Sequence, residues 1–506
     1  MAAAKDPSRG TAPQLSDNFI TANPPLLAEK AASTETSPLL PGQKEPHAIH
    51  YTHFRVYKRR WYMLVVFCLL AFSQGLLWNT WSPLSGTMDI VFGWEPSFLA
   101  LSLAVSNISI TLFAFPFMYF AETKGLRFVV VVAASVLALG TALWNISLPT
   151  DMNWMIMLSS ICTGLPNCIF LAGAPLLSVL WFPVNERTTA TALATISTYM
   201  GVGFSFVCGP LVSSGSVMES DVRNRDNITL ETIENLSDGV YRVIYIETAL
   251  AALCFILVLA YFPNKPPTPP SAAQTIERID YWGGIKLLLK NYYLWILTLA
   301  FNIASGTYNA YIPLISVNFA ASLQMDQITA AMAGFASICA GCFGSIGVAA
   351  FVDRHPRHTK LVLQIMCFTA IALFTVLSCI QEGYIVIKGC TAETATVYIL
   401  SMAIAVCMIG GIPLYYELGC ELAFPVYEGL CGTFITVIND LIGLAFYALF
   451  LIPSLAHSGA WMTWACLAAC SISFPLLFFV KESYTRLNLE IEESDRQSGE
   501  RNQSET

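Results

Sequence analysis

Charged residues are scarce in this chain. They make up 12% of its 506 residues, about half the share of a typical soluble domain. The sequence also has no basic cluster of the kind that binds nucleic acid, no phosphate-binding P-loop, no zinc-protease helix and no nucleophile elbow. These absences argue against a nucleic-acid-binding protein, an ATP-driven pump and a hydrolase. We therefore expect no enzyme activity and no cofactor.

Histidine is also rare, with six residues, and none of them lies in the middle of an apolar run. The fifteen cysteines are scattered through the apolar runs. Cys339 and Cys342 form a C-x-x-C pair, but no second pair or histidine lies nearby, as a structural zinc site requires. We expect no metal site.

Apolar residues, in contrast, make up 55% of the chain and form twelve long runs between Tyr62 and Val480. A helix needs roughly 20 apolar residues to cross the hydrocarbon of a bilayer, and its backbone groups satisfy one another there. The runs predict an all-α membrane protein with twelve transmembrane helices. The predicted spans are residues 62–86, 98–121, 127–147, 153–180, 189–215, 240–262, 292–317, 327–352, 359–380, 393–416, 428–453 and 459–480.

A polar segment divides these runs into two sets of six. It opens with the proline-rich stretch PNKPPTPP, which is typical of a stiff, extended linker. We predict six-helix bundles at residues 59–262 and 292–480, joined by a cytosolic linker at 263–291. Cytosolic tails are predicted at 1–58 and 481–506, and the first has the low aromatic content of a disordered segment.

The basic residues predict the orientation. Lys and Arg near the span ends are far more numerous on the side of the N-terminus than on the other side, and such residues mark the cytosolic side. Both termini are therefore predicted to be cytosolic. The sequons at Asn227 and Asn235 fall in the loop between spans five and six, on the predicted lumenal side, where glycosylation occurs.

The N-terminal tail contains a candidate sorting signal. Glu35 lies four residues before the pair Leu39 and Leu40, which resembles the dileucine signal that clathrin adaptors read. The motif predicts a lysosomal membrane protein, and the alternative is a chance match in a tail that contains leucine.

Two cytosolic loops resemble each other. Glu122 and Arg127 follow span two, and Asp353 and Arg354 follow span eight. An acid near a helix end followed by basic residues can latch neighbouring helices on the cytosolic side. The alternative is the ordinary positive charge of cytosolic loops, but the repetition in both sets of spans favours a gating role.

Two motifs carry a family resemblance. The segment WFPVNERTTATAL contains Glu186 and Arg187, and the segment YYELGCELAFPVYEGLCG contains Glu417 and Glu421. The first resembles the loop after span four in the major facilitator superfamily, and the second resembles solute carrier family 49. The resemblance covers about residues 59–490 and implies a fold of two six-helix bundles. Because the four residues lie at the cytosolic ends of their spans, we expect them to act as gates.

The first span and the segment KESYTRLNLE are most similar to a lysosomal member of that family. This resemblance implies a monomeric carrier that exports a small organic solute, pyridoxine, into the cytosol with the proton gradient. Its partners are then the solute, protons and lipid, together with clathrin adaptors.

Polar residues inside the first span are the first candidates for solute binding, because polar groups are costly in lipid and usually face a cavity. Gln74, Trp78 and Trp81 are spaced for one helical face, and Asn79 lies beside it. A tryptophan face can stack on a pyridine ring or bind a quaternary amine. The alternative is aromatic packing between helices. The resemblance also aligns Trp78 with a tryptophan of the choline-carrying relatives.

Span seven supplies a second set. Asn302 and Asn309 are seven residues apart, Tyr308 and Tyr311 lie beside them, and Gly306 permits a kink. Asn309 departs from the aromatic pair that relatives have here, which weakens a transfer of choline chemistry. Tyr311 has the alternative of an interfacial belt residue.

Two carboxyl groups in the spans are candidates for proton coupling. Asp440 is predicted near the middle of span eleven, and Glu247 lies in span six, closer to the lumen. Because charge is costly in a buried site, such a carboxyl readily binds a proton. The alternative for Asp440 is a packing residue satisfied by neighbouring polar groups.

Three functions are compatible with these patterns. The first is a proton-linked carrier of a small organic solute. The second is a carrier of choline-like cations or haem, although a histidine that could ligate haem is absent from the spans. The third is a lysosomal membrane scaffold that transports nothing.

Overall fold

The computed structural model describes residues 56–150, 152–208, 229–268, 280–354, 358–452, 455 and 459–481. These residues belong to one compact unit, Ala48–Thr506, and their regular secondary structure is helical. The first half of the molecule contains α1 (Arg59–Trp78), α2 (Ser85–Phe92), α3 (Pro96–Lys124), α4 (Leu126–Thr150), α5 (Asn153–Gly164), α6 (Asn167–Trp181), α7 (Val184–Ser205) and α8 (Leu230–Ala260). A short helix, α9 (Tyr281–Lys290), follows. The second half contains α10 (Tyr292–Tyr311), α11 (Ile315–Leu323), α12 (Gln327–Arg354), α13 (Thr359–Gln381), α14 (Cys390–Gly410), α15 (Ile412–Ala423), α16 (Glu428–Ala448) and α17 (Trp461–Phe479).

These helices form twelve spans, as the apolar runs predict. In the described residues, nine helical segments are long and apolar enough to cross a membrane, and two bent pairs bring the number to eleven. The twelfth is α7, which is more polar because it begins with Asn185, Glu186 and Arg187. Because the number of spans is even, α1 begins and α17 ends on the same side of the membrane. We call this the tail side and the opposite side the far side.

The spans are not all continuous, and spans one, four, seven and ten are each divided into two helices. In span seven the helix continues through Gly306, where the sequence permits a kink, and ends at Tyr311. Span one breaks between α1 and α2 at Pro83, and span seven breaks at the matching Pro313. Span four breaks at Pro166, and span ten at Gly411. Proline lacks an N–H group and clashes with the preceding turn. At the breaks, backbone carbonyl oxygens that lose their helical hydrogen bonds are free to accept bonds from other groups.

The linker contains a helix that was not predicted from the sequence. Asp280 caps α9 by accepting a hydrogen bond from the Gly283 N–H group at 3.2 Å. Tyr281, Gly284 and Leu288 form its buried face, at the spacing of an amphipathic helix. The linker is therefore helical at its end, whereas the proline-rich start suggested only an extended segment.

Span six also begins earlier than predicted. The Thr229 side chain accepts a hydrogen bond from the Thr232 N–H group and caps α8, and Glu231 follows in the first turn, where the helix dipole favours an acid. The polar residues before the apolar run therefore extend the helix. The placement of Asn235 in a loop is wrong, because it lies in α8 with an exposed side chain. Asn227 lies outside the described residues.

The two halves repeat one packing device. In the first half α1 packs against α7, where Gly75 and Gly201 let the backbones approach closely. In the second half α10 packs against α16, and a Cβ atom on Gly306 would lie 2.7 Å from the Asn439 carbonyl oxygen. Across the halves, α16 packs against α3 and α6, and α7 packs against α12. These crossings surround the centre of the molecule.

Candidate functional site

A small cavity lies at the centre, between the two halves. Its volume is about 50 Å³, which is room for a few water molecules, because one water needs roughly 10–15 Å³. Helices of both halves contribute its walls. The polar and aromatic residues that line it are Gln74, Trp78, Asn107, Asn167, Thr198, Tyr199, Asn309, Asn439 and Asp440.

The break in span four shapes the wall on the first-half side. Gln74 donates a hydrogen bond from Nε2 to the Thr163 carbonyl oxygen at 3.1 Å, next to the break at Pro166. This bond fixes one end of the amide, and the Gln74 Oε1 atom is buried without a partner among the described residues. The same is true of Asn167 Oδ1, Trp78 Nε1 and Thr198 Oγ1. Four polar atoms of the first half therefore lie unpaired at the cavity.

The second half contributes a ladder of side-chain amides. Asn309 Nδ2 donates to Asn439 Oδ1 at 2.9 Å, and Asn439 Nδ2 donates to Asn302 Oδ1 at 3.0 Å. Asn302 Nδ2 donates in turn to the Ile435 carbonyl oxygen at 3.0 Å. Tyr199 of the first half reaches the other end of the ladder, where its hydroxyl donates to Asn309 Oδ1 at 3.4 Å. The ladder joins α10 to α16 and ends at the cavity wall.

Asp440 stands beside this ladder, in the middle of α16. Its side chain is 8% exposed, and its Oδ2 atom has no hydrogen-bond partner among the described residues. An ionised carboxylate in such a place is costly unless a cation or hydrogen-bond donors neutralise it. The group can therefore bind a proton or a donor of a bound solute.

Hydrogen bonds lie on both sides of the cavity, between the two halves on the far side and from the linker helix α9 on the tail side. On the far side, Ser82 Oγ donates to the Pro313 carbonyl oxygen at 2.5 Å, and Gln327 Nε2 donates to the Pro83 carbonyl oxygen at 2.9 Å. On the tail side, the Tyr281 hydroxyl of α9 donates to the Phe115 carbonyl oxygen at 2.6 Å. Helix α9 also packs against α16 of the second half, so these bonds connect the halves on both sides of the cavity. Separating the halves on one side requires the bonds on that side to break.

Two of the predicted binding residues in span one lie elsewhere. Because α1 ends at Trp78, the prediction that Gln74, Trp78 and Trp81 share one helical face is wrong. Trp81 packs in an aromatic cluster, with its ring centroid 4.8 Å from that of Trp144. Asn79 donates from Nδ2 to Ser205 Oγ at 2.8 Å, inside the first half.

Span seven divides in a similar way. Asn309 lines the cavity, whereas Asn302 is fully buried behind it in the amide ladder. Tyr308 packs on Phe374, with ring centroids 6.2 Å apart. Tyr311 is 1% exposed, so it lies in the core and not in an interfacial belt.

Glu247 is also apart from the cavity. It is 1% exposed and accepts hydrogen bonds from Thr80 Oγ1 at 2.9 and 3.1 Å. Cys208 Sγ lies 3.9 Å from its Oε1 atom. The carboxyl therefore lies inside the first half, among α1, α8 and the residues after α7.

The predicted gating residues lie on the tail side. Glu186 forms a bidentate ion pair with Arg60, at 2.9 and 3.0 Å, which joins spans one and five of the same half. Arg187 Nε donates to the Phe182 carbonyl oxygen at 3.4 Å. The Arg127 N–H group donates to Asn264 Oδ1 at 2.8 Å and so ties the loop after span two to the linker.

The other gating candidates differ in burial. Glu122, Arg354 and Glu417 are exposed, and Glu421 is 6% exposed. The side chain of Asp353 lies outside the described part of the structure, as do the sorting residues Glu35, Leu39 and Leu40. Their roles stay predictions.

Sequence reasoning missed four lining residues: Asn107, Asn167, Thr198 and Tyr199. Asn107 lies inside span two, where a polar side chain is itself a signal of a cavity. Asn167 follows the proline at the break in span four. Its position in the wall depends on that break, which the continuous apolar run does not reveal.

The comparisons with known proteins agree with this architecture. Residues 63–423 match the family model of the Major Facilitator Superfamily. The chain is similar in fold to the major facilitator transporter FucP in its outward conformation, with a TM-score of 0.58, 16% identity, and coverage of 83% of this chain and 99% of that one. It is also similar to an inward-facing bacterial homologue of the lysosomal transporter Spinster, with a TM-score of 0.60, 12% identity, and coverage of 84% and 98%.

Similar sequences identify the family within this superfamily. The chain is 30% identical over 451 residues to a solute carrier family 49 member 4 homologue of Xenopus tropicalis, covering 86% of this chain and 94% of the relative. It is 24% identical over 405 residues to a choline/ethanolamine transporter of Danio rerio, covering 78% and 80%. These relatives are transporters. The chain therefore belongs to the major facilitator superfamily and, within it, to solute carrier family 49, and it is a secondary transporter rather than an enzyme.

Proposed function

We propose that this protein is a proton-coupled carrier of the lysosomal membrane that exports a small hydroxylated aromatic solute, with pyridoxine as the solute. The observation that supports this most is Asp440, a buried carboxyl with an unpaired oxygen at the wall of the central cavity. The acidic lumen supplies the proton, and the cytosol receives both proton and solute.

The unpaired atoms of the cavity match such a solute. Gln74 Oε1 and Asn167 Oδ1 are acceptors, and Trp78 Nε1 is a donor. The hydroxyl groups of pyridoxine can donate to the two amide oxygens, and its ring nitrogen can accept from the indole. In the other orientation, the pyridine ring stacks on the face of Trp78 instead of accepting from its N–H group. A buried polar atom without a partner costs about 1–3 kcal/mol, so the solute would supply the missing bonds.

Asp440 can couple this binding to a proton. In the state open to the lumen, the Asp440 carboxylate takes a proton from water and becomes a neutral carboxyl, which lowers the cost of closing the cavity around it. In the state open to the cytosol, the O–H bond breaks and the proton leaves to water. The solute leaves from the same state, so proton and solute move together.

The closed contacts define the conformational step. Opening toward the lumen requires the far-side bonds of Ser82 and Gln327 to break, and opening toward the cytosol requires Tyr281 to leave Phe115. The cavity of about 50 Å³ also has to widen to admit an aromatic ring. This alternation fits a carrier with one central site between two halves.

A second candidate is a carrier of choline or ethanolamine, the solutes named for several relatives. Trp78 and Asp440 line the same cavity and could hold a cation by cation–π contact and charge. The quaternary ammonium of choline has no N–H group, however, and leaves the Gln74 and Asn167 oxygens with a single hydroxyl between them. Ethanolamine has N–H donors but no ring to stack on Trp78. These differences favour a solute with several hydroxyl donors and an aromatic ring.

The test uses a form of the protein at the cell surface. Replacing Leu39 and Leu40 by Ala removes the predicted sorting signal, and unchanged lysosomal staining would contradict the role of that signal. With the protein at the surface, uptake of labelled pyridoxine is measured in acidic and neutral medium. We expect acid to increase uptake and Asp440→Asn to reduce it by about tenfold or more at equal surface level.

Asp238→Asn is the matched control, because Asp238 is an exposed residue of α8 and should leave uptake unchanged. Choline uptake without pyridoxine uptake would replace the first candidate by the second. Absence of flux for both solutes would contradict the proposal and favour a scaffold.

A further inference from the structure

Glu247 is a buried carboxyl that the central cavity does not use. Among the described residues, its hydrogen-bond partners are the hydroxyl of Thr80 and the thiol of Cys208. Neither partner is a cation. A carboxylate at 1% exposure with neutral partners is costly, whereas a protonated carboxyl is not.

The Thr80 hydroxyl distinguishes the two protonation states. Its Oγ1 atom lies 3.0 Å from the Leu76 carbonyl oxygen and 2.9 and 3.1 Å from the two Glu247 oxygens. A hydroxyl has one hydrogen to donate. If Thr80 donates to Leu76, the bond to Glu247 needs a proton on the carboxyl. If Glu247 is ionised, Thr80 turns its hydrogen to Glu247 and leaves Leu76.

The two alternative hydrogen bonds of the Thr80 hydroxyl are made at the break in span one. Leu76 belongs to the last turn of α1, Trp78 ends the helix and lines the cavity, and Thr80 stands in the break itself. The bond from Thr80 to Leu76 extends the hydrogen bonding of α1 beyond its end. The protonation state of Glu247 therefore determines whether Thr80 donates a hydrogen bond to the last turn of α1, the turn that ends with Trp78.

The surroundings contain few competing charges. Helix α8 packs against α1, α2 and α4, whose charged residues are Arg59 and Arg60, Asp89, and Arg127. The three arginines lie at the tail-side starts of their helices, whereas Asp89 and the exposed Arg242 of α8 lie toward the far side. Cys208 is the titratable group within hydrogen-bonding range of Glu247 in the described part of the chain.

We propose that Glu247 binds a proton in the first half and that Thr80 is a positioning residue, which passes the protonation state of Glu247 to the end of α1 and hence to Trp78. The inference rests on the proposed function, because it concerns the regulation of the same solute site. Glu247 takes its proton from water on the far side and forms an O–H bond, which donates to Thr80. When the O–H bond breaks, the proton returns to water and Thr80 leaves Leu76.

The first test needs no solute. Purified protein in lipid vesicles is titrated from acidic to alkaline pH, and infrared difference spectra record the C=O band of protonated carboxyl groups. We expect one such band to disappear in Glu247→Gln. We expect Thr80→Val to shift that band, because the hydrogen-bond partner is lost, and Thr80→Ser to restore it. Spectra that are the same in the wild type and Glu247→Gln, or a band that Thr80→Val leaves in place, overturn the proposal.

The second test measures transport. The ratio of pyridoxine uptake in acidic and neutral medium should fall by about threefold or more in Glu247→Gln and Thr80→Val, because the switch is fixed in one state. Thr80→Ser should keep the wild-type ratio. A wild-type ratio in both altered forms contradicts the proposal, and so does a Thr80→Ser protein that behaves like Thr80→Val.

The two tests separate this inference from the proposed function. If the wild type takes up no pyridoxine but the infrared bands behave as expected, the solute assignment fails and the switch stands. If uptake depends on acid and on Asp440 while the Glu247 band is absent, the proposed function stands and the switch fails.

Discussion

Several buried polar atoms lack a hydrogen-bond partner at the central cavity, whereas those of Trp144 and Glu247 in the interior of the first half are paired. At the cavity, Trp78 Nε1 and Asp440 Oδ2 are buried without a partner in the described structure. In the interior, Trp144 Nε1 donates to Ser159 Oγ at 2.6 Å, and Glu247 is bonded to Thr80. The atoms named are buried in both regions, so burial alone does not explain the difference.

The difference indicates where a ligand belongs. An unpaired buried polar atom costs about 1–3 kcal/mol, and five such atoms, on Gln74, Trp78, Asn167, Thr198 and Asp440, belong to residues that line one cavity between the two halves. A paired group inside one half can instead support the shape of that half. On this reading Asp440 exchanges its proton with the transport pathway, whereas Glu247 acts on the end of α1.

The largest expected effect comes from two tryptophans that are three residues apart. Trp81→Ala removes a side chain packed against Trp94 and Trp144 and should lower the free energy of unfolding by about 3–5 kcal/mol. Trp78→Ala should change it by less than about 1 kcal/mol but reduce uptake by about tenfold. Thermal unfolding in detergent and uptake at equal surface level measure the two effects.

Trp154→Ala is the control for this pair, since Trp154 is 64% exposed and should change neither quantity. The comparison fails if Trp78→Ala destabilises the protein as much as Trp81→Ala does. In that case Trp78 is a packing residue, and the cavity loses its aromatic wall.

Much of the fold follows from the sequence, because lipid imposes a simple rule. Long apolar runs must be helices there, so the twelve spans could be placed from composition. The breaks could not, although Pro83, Pro166 and Pro313 are visible in the sequence, because proline also occurs inside continuous helices here. Pro116 lies within α3, for example. What decides between a break and a tolerated proline is the packing of neighbouring helices.

The candidate site is less predictable for a related reason. Asp440 and Trp78 were found because polar and aromatic residues stand out in apolar runs. Trp81 has the same chemistry as Trp78, but the end of α1 turns it away from the cavity. Asn302 and Asn309 lie on one helix, but only Asn309 lines the cavity. Both bond to Asn439, which belongs to another span. Spacing along one helix cannot show contacts between helices.

A smaller effect should come from the amide ladder, which is paired although it adjoins the cavity. Asn439→Leu removes the partner of both Asn302 and Asn309 and should lower the free energy of unfolding by about 2 kcal/mol. Thr369→Val is the control, because this exposed hydroxyl bonds within its own helix. A loss of uptake with unchanged stability would place Asn439 among the solute-binding residues instead.

The smallest effect should come from the hydrogen bond that crosses between the halves beside the cavity. The Tyr199 hydroxyl donates to Asn309 Oδ1 at 3.4 Å, which is long for an O–H···O bond. Tyr199→Phe should therefore change the free energy of unfolding by less than about 1 kcal/mol. Because the bond must break when the halves separate, we expect uptake to rise slightly, by about twofold or less.

Tyr416→Phe is the matched control for this change, since the Tyr416 hydroxyl lies 2.8 Å from Thr436 Oγ1 within the second half. That variant should leave the uptake rate as it is, because its bond does not cross the opening surface. A tenfold loss of uptake in Tyr199→Phe would contradict the assignment. Tyr199 would then bind the solute directly, and the cavity would contain a sixth group whose bonding a ligand completes.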